Sequence, residues 1–271
     1  MRMKKIKIFS LLTAGILLFS ACSGRKDDPN FIRVGITYGP EQEIAEVAKK
    51  VAKDKYNLDV ELIPFNDYVV PNEALTNGDI DANAFQHLPY LTEQSKQRGY
   101  HLVPVGNTFV YPIIAYSKKI KNISQLQEGN TVVIPNDPTN GGRSLLLLQK
   151  GGLLKLRQGV GLLPKVTDIT ENPKQLKIME IEGAQIPRVL DDRDVVVGII
   201  NNNFAAQAGL DSEKQGVLIE DKDSPYVNLV VARQDNKNSQ KVKNFVKAYQ
   251  SPEVEKKAKE IFKGGAVKGW D

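Results

Sequence analysis

The segment NDPTNGGR (136–143) holds the residue types and spacing best suited to a chemical task. It follows a short apolar run, Thr131–Pro135, and leads into a leucine-rich helix expected over 142–150. Backbone N–H groups at a helix start, with two glycines permitting close approach, form an anion site. Arg143 would then stand in the first turn, where a cation opposes the helix dipole. An anionic guest offsets that cost, and a guanidinium matches a carboxylate in bidentate geometry. The plain alternative is a polar loop with a solvated arginine. No Gly-Lys-Ser/Thr follows, so this is not a Walker phosphate loop.

A second cluster, DANAFQHLPY (81–90), passes from a strand end into a helix. Phe85, His87 and Tyr90 could line a pocket with ring surface and a polar edge. His87 is equally well read as a turn-capping histidine, and no second His or Cys keeps metal-ligand spacing with it. Tyr68, in NDY (66–68), adds another ring or simply packs. Asn228 interrupts an apolar run between Val227 and Leu229, where asparagine is disfavoured and a buried amide needs partners. Asn201 closes the apolar run Val195–Ile200. A ligand ammonium or carboxylate would satisfy both, as would a backbone bond at a strand end.

These residues need a scaffold, and the pattern supplies one. Short apolar runs at 31–36, 58–65, 80–85 and 101–105 alternate with amphipathic stretches at 41–55, 71–76 and 88–98. The rhythm restarts at Thr131, with runs at 131–135, 176–181, 195–200, 217–220 and 226–232, helical patterns at 142–150 and 203–208, and two closing helices at 239–250 and 252–262. Such alternation implies an α/β protein with mostly parallel sheets covered on both faces. Two units joined by extended segments near 108–117 and 226–233 give one lobe over 31–110 plus 230–271 and a second over 111–229. The natural site is the cleft between them, and hinge closure the expected motion.

Composition excludes several classes. The 271 residues are 41% hydrophobic and 25% charged, as in a soluble globular protein rather than a disordered or polytopic membrane one. One cysteine and two histidines leave no disulfide framework and no zinc or iron–sulfur set, and no cofactor is implied. The net charge of +5 hints at nucleic acid, but Arg2, Lys4, Lys5 and Lys7 account for most of it. Without them 33 basic residues face 32 acidic ones, so no nucleic-acid partner is expected. There is no G-x-S-x-G, no H-E-x-x-H and no G-x-G-x-x-G after a strand, so the site is read as one that binds rather than catalyses.

The first 21 residues carry a basic start, a twelve-residue apolar run (8–19) and small residues before Cys22. That is a signal peptide, too short for a spanning helix of about 20 residues. Phe19-Ser-Ala-Cys22 is similar to a bacterial lipobox with Phe in place of the usual Leu. Cys22 is therefore the expected lipidation site and 22–30 a polar tether, leaving the protein exported and lipid-anchored to the cell membrane. Ser23 points mildly to the outer membrane of a Gram-negative source, a transporter partner to the inner one.

NDYVVPNEAL, DANAFQHLPYL, GNTFVYPI, YSKKIK, NDPTNGGR, SPYVNL and GGAVKGW together resemble the NlpA/MetQ family of methionine-binding lipoproteins, over about residues 31–270. The resemblance implies a two-lobe periplasmic-binding-protein fold, with crossover strands, that delivers methionine to an ABC importer of MetI-type permease and MetN-type ATPase. It implies that Arg143 takes the ligand carboxylate and that Asn201 and Asn228 hold the amino-acid head group. Tyr68, Phe85, His87 and Tyr90 then surround the thioether chain, whose sulfur suits ring contacts, and Asn140 joins Arg143 in its turn. Gly141 departs from the family's leucine, and Asn202 and Asn203 from its threonine or similar residues. The extra glycine loosens the turn, and the asparagines widen the polar end toward D-methionine or a methionine-containing peptide. The remaining alternatives are a binder of another small amino acid and a non-transport envelope lipoprotein. A monomer is expected.

Overall fold

The computed structural model describes residues 28–262 and 266–271. The expected signal peptide, Cys22 and most of the tether lie outside the described residues, as do the first two residues of GGAVKGW.

Two sheets organise the chain. The first has the spatial order Val267–Lys268, Leu102–Val110, Val227–Arg233, Ala82–His87, Phe31–Thr37, Asp59–Phe65. The second runs Gly216–Ile219, Ile114–Tyr116, Val195–Ile200, Thr131–Pro135, Lys177–Ile181. Both are mixed, which corrects the expectation of mostly parallel sheets. Phe31–Thr37 pairs parallel with both neighbours, and so does Thr131–Pro135. Val227–Arg233, however, leaves the cleft edge at which Ala82–His87 and Leu102–Val110 arrive, so it runs antiparallel to both. Ile114–Tyr116 does the same in the second sheet. The chain passes between sheets through Tyr111-Pro112-Ile113 and again through 220–226. The passages are tied together, since Glu220 N donates to Ile113 O at 3.1 Å and Ile113 N to Glu220 Oε2 at 3.3 Å.

Local chemistry explains the covering helices. In Pro40–Tyr56 the buried Ile44, Ala45, Ala48, Val51 and Ala52 form one stripe. Pro40 sits at the first position, acids fill the first turn and lysines the last, and Asn57 ends the helix in the left-handed region at φ 49°. That stripe packs on Ile32, Val34 and Ile36 and against Phe245 and Tyr249 of the closing helices. The second sheet carries one core on each face, built around Leu145 and Leu148 on one side and Ile186 and Phe204 on the other.

The helix expected from 142 begins four residues earlier and spans Pro138–Lys150. Asp137 is its cap, accepting from Thr139 N at 3.1 Å and Asn140 N at 2.9 Å, and Pro138 occupies the first turn. Gly141 and Gly142 are helical and serve close packing rather than a loose turn. A Cβ at Gly141 would stand 2.7 Å from Pro135 O, and one at Gly142 2.9 Å from Leu162 O. The Lys155–Leu156 and Ile169–Glu171 hairpin and the four-residue helices Ile186–Val189 and Ser212–Gln215 were too short to show a period.

Candidate functional site

A cavity lies where the two sheets face each other. From the first lobe it is lined by Tyr68, Phe85, Gln86, His87, Tyr90, Asn228 and Glu41, and from the first passage by Tyr111. From the second lobe come Asn140, Arg143, Asn201, Asn202 and Asn203. All eight residues singled out in the sequence as a candidate site therefore converge on one wall-to-wall space.

Arg143 is 3% exposed and its guanidinium is tightly placed. Nε donates to Glu220 Oε1 at 2.8 Å, Nη2 to Glu220 Oε2 and to Tyr111 O at 2.9 Å, and the Tyr226 ring lies 4.4 Å from Cζ. The expected electrostatics of this residue need correcting. It stands in the second turn of its helix, and the first-turn amides are taken by Asp137, so neither the dipole nor a free helix end defines the site. What makes Arg143 available is its geometry. Glu220 occupies the Nε/Nη2 edge, and Nη1 makes no hydrogen bond among the described residues. Both Nη2 hydrogens are spent on Glu220 and Tyr111 O, so a second carboxylate can reach Nη1 of a fork already held rigid.

His87 fills both roles that its sequence position allowed. Its Nδ1 accepts from Tyr90 N at 3.1 Å, capping the helix Leu88–Arg98. The proton therefore sits on Nε2, which faces Asn140 Oδ1 at 3.3 Å across the cleft. Burial, reinforced by the Arg143 charge, pushes its pKa down to about 3, so the ring is neutral. Asn140 Oδ1 also accepts from Asn201 Nδ2 at 3.0 Å, while Asn140 Nδ2 donates to Asp137 Oδ2 at 3.0 Å. That fixes the amide orientation and makes Asn140 a link between the lobes. Asn228 pairs in register with His87 and donates to Phe85 O at 3.1 Å, the backbone alternative noted above.

The ring wall is continuous. Tyr68 lies 5.7 Å from Phe85, 5.9 Å from Tyr90 and 4.7 Å from Phe204 of the opposite lobe. Tyr90 OH donates to Tyr68 O at 2.9 Å. Behind Phe85, a buried amide cluster joins Asn72, Asn83 and Gln86, with Asn72 Nδ2 to Gln86 Oε1 at 2.8 Å and Asn83 Nδ2 to Asn72 Oδ1 at 2.9 Å. Its mutual satisfaction stiffens the strand that presents the wall. Glu41, at the start of Pro40–Tyr56, accepts from Thr37 Oγ1 at 2.6 Å, and burial raises its pKa to about 7.

Among the described residues, buried polar atoms without partners include Asn201 Oδ1 and Asn203 Nδ2 in the cavity lining and Tyr226 OH beside Arg143. Orphaned groups of this kind cost free energy until a guest pairs with them. Glu41, Gln86, Tyr111, Glu220 and Tyr226 were not singled out from the sequence. Glu220 lies in the acid-rich run EDKD, which reads as a solvated surface, and its role depends on a contact 77 residues distant. Gln86 stood inside the DANAFQH cluster, where a polar residue in a buried strand was the available signal. Among the described residues no group of three or more His, Cys, Asp or Glu could hold a metal ion, and no helix is long and apolar enough to cross a membrane.

Comparison with known proteins agrees with this architecture. The NlpA lipoprotein family model matches residues 32–270. The chain is 62% identical over 268 residues to the D-methionine-binding lipoprotein MetQ of Escherichia coli O157:H7, covering 98% of this chain and 99% of that protein. A crystal structure of the methionine binding protein MetQ superposes with a TM-score of 0.88 at 64% identity, over 90% of this chain and 100% of that one. A nutrient binding protein from Burkholderia cenocepacia, bound to methionine, does so at 0.85 with 49% identity, over 88% of this chain and 100% of that one. The two lobes are therefore those of a periplasmic substrate-binding fold, and the chain belongs to the NlpA lipoprotein family.

Proposed function

We propose that this chain is the non-catalytic, solute-binding component of an uptake system and that its cargo is methionine. The observation that carries the reading is the cavity itself. It combines one buried arginine whose Nη1 makes no bond among the described residues, a set of asparagine amides and a wall of rings between two lobes. The Nη1 side of Arg143 takes the ligand carboxylate. Asn201 and Asn228, with Asn140 behind them, hold the head group, and Asn201 Oδ1 accepts from the ammonium. Tyr68, Phe85, His87 and Tyr90 cover an unbranched, polarizable side chain.

Closure would turn about 111–113 and 220–226. The ligand stabilises the closed arrangement because it binds residues of both lobes at once, and that differential affinity is all the shift requires. Closed lobes would be the form recognised by a MetI-type permease, with a MetN-type ATPase supplying the energy of release. An acylated Cys22 would hold the chain at the membrane. The relatives named above are described as binding methionine, and their near full-length identity supports the same class here.

Isothermal calorimetry on the full-length chain in detergent, unfolded and refolded to remove carried ligand, tests this. L-methionine, D-methionine and glycyl-methionine would be titrated. Tight binding of one of them, lost in Arg143→Ala, is expected; no heat with any would overturn the methionine assignment.

A further inference from the structure

Two consecutive acids fasten the second passage to the helix Pro138–Lys150. Glu220 pairs with Arg143, and Asp221 pairs with Lys150, seven residues further along the same helix. The two pairs differ in their surroundings. The Lys150 and Asp221 side chains are 51% and 68% exposed, so their pair adds little. Those of Arg143 and Glu220 are 3% and 14% exposed, and a charge so placed needs a partner in fixed geometry.

Glu220 is itself held by the first passage. Ile113 N donates to its Oε2 at 3.3 Å, and Glu220 N donates to Ile113 O at 3.1 Å. Its carboxylate accepts from Arg143 Nε and Nη2 together, Nη2 also donates to Tyr111 O, and the Tyr226 ring lies 4.4 Å from Cζ. The guanidinium is thus gripped from both passages, with Nη1 left without a bond among the described residues. A free arginine gives up rotamer freedom when it takes a carboxylate, and here that freedom is already lost before a guest arrives. Glu220 does not have to yield its place. A guest that carries an ammonium with its carboxylate adds no net charge, so the buried pair can stay closed.

We propose that Glu220 is a positioning residue for methionine binding: by tying Arg143 to both passages, it presents Nη1 to the ligand carboxylate. This rests on the methionine reading above. Glu220 is not part of the cavity wall and acts through Arg143 alone.

The test is calorimetry on the full-length chain in detergent, with whichever of L- and D-methionine the wild type binds more tightly. Glutamine keeps the size of Glu220 but turns one acceptor into a donor facing the guanidinium. Glu220→Gln should therefore weaken binding by about 10- to 100-fold. In Arg143→Lys there is no fork to hold, so adding Glu220→Gln should cost at most about threefold more. A role in packing alone would weaken both backgrounds equally. Lys150→Gln, which removes the exposed pair, should stay within about threefold of wild type. If Glu220→Gln does not fold, Glu220→Asp, one methylene too short to reach Arg143 and Ile113 together, is read the same way. Unchanged or tighter binding in Glu220→Gln, an equal loss in both backgrounds, or as large a loss in Lys150→Gln overturns the assignment. A wild type that binds no methionine overturns the methionine reading instead.

Discussion

Protonating His87 is the perturbation whose size follows most directly from the structure. Its ring is buried, its Nδ1 is committed as an acceptor to Tyr90 N, and Arg143 lies nearby, so its pKa falls to about 3. In the unfolded chain it returns to about 6.5. A depressed histidine favours the folded state fully above the unfolded value, and that contribution is lost as pH falls from 6.5 toward 3. The whole shift corresponds to about 5 kcal/mol, of which ~2 kcal/mol is lost on going from about pH 7.5 to about pH 5. Glu41 acts in the opposite sense over the same interval. Its raised pKa of about 7 favours the folded state at low pH and is lost as pH rises through 4.5 to 7. The clean measurement is therefore a difference between two proteins. Urea unfolding, followed by fluorescence, would be run on wild type and His87→Asn at both pH values. Asparagine can still accept from Tyr90 N, so the cap survives while the titration disappears. The gap between the two proteins should change by ~2 kcal/mol in favour of the variant on acidification, because the Glu41 contribution is common to both. A gap independent of pH would refute the argument that burial and Arg143 keep this ring neutral.

Three further outcomes are expected. Glu41→Gln removes a carboxyl that must ionise in place, so at about pH 7.5 it should be more stable than wild type by ~3 kcal/mol, with no gain at about pH 4; equal urea midpoints at the higher pH would contradict this. Arg143→Lys should weaken methionine binding by roughly 30- to 150-fold, as for a lost charged hydrogen bond of about 2–3 kcal/mol, because an ammonium cannot span Glu220, Tyr111 O and a ligand together. Calorimetry reads this directly, and a lysine variant that binds like wild type would show the fork to be dispensable. Gly141→Ala places a methyl 2.7 Å from Pro135 O, a backbone atom that cannot swing aside. It should lower stability by about 1–2 kcal/mol despite alanine's better helix propensity, and an unchanged urea midpoint would refute the packing argument.

The alternation of apolar runs and amphipathic stretches was enough to read the α/β class, because period and burial are local properties. Sheet direction was not. That Val227–Arg233 runs against its neighbours depends on which edge of the cleft it leaves, and no residue type records that. The same division holds at the cavity. Asn201 and Asn228 were legible because each breaks a local rule, as a polar strand end or an amide in an apolar strand, and the DANAFQHLPY rings because they cluster at a strand end; Arg143 was noticed for a first-turn position that it does not hold. Glu41 obeys every local rule, since an acid in the first turn of a helix is ordinary, and only its burial in the folded chain makes it unusual. The start of the Pro138–Lys150 helix was misplaced for a related reason. Two adjacent glycines look like a loop until the carbonyls of Pro135 and Leu162 are seen pressed against them.

Val227–Arg233 sits between Ala82–His87 and Leu102–Val110, in the middle of the first sheet. As the chain emerges from its N-terminal end, those two neighbours appear more than a hundred residues before the strand that must fill the gap. Until then each presents an unpaired edge, the arrangement most prone to pairing with another molecule. The second lobe is a self-contained insertion that can fold during this wait, while the first has to be finished last. Fragments ending before Val227 should therefore associate rather than remain monomeric, and folding of the first lobe should carry the slow rate of a contact that spans the whole insertion.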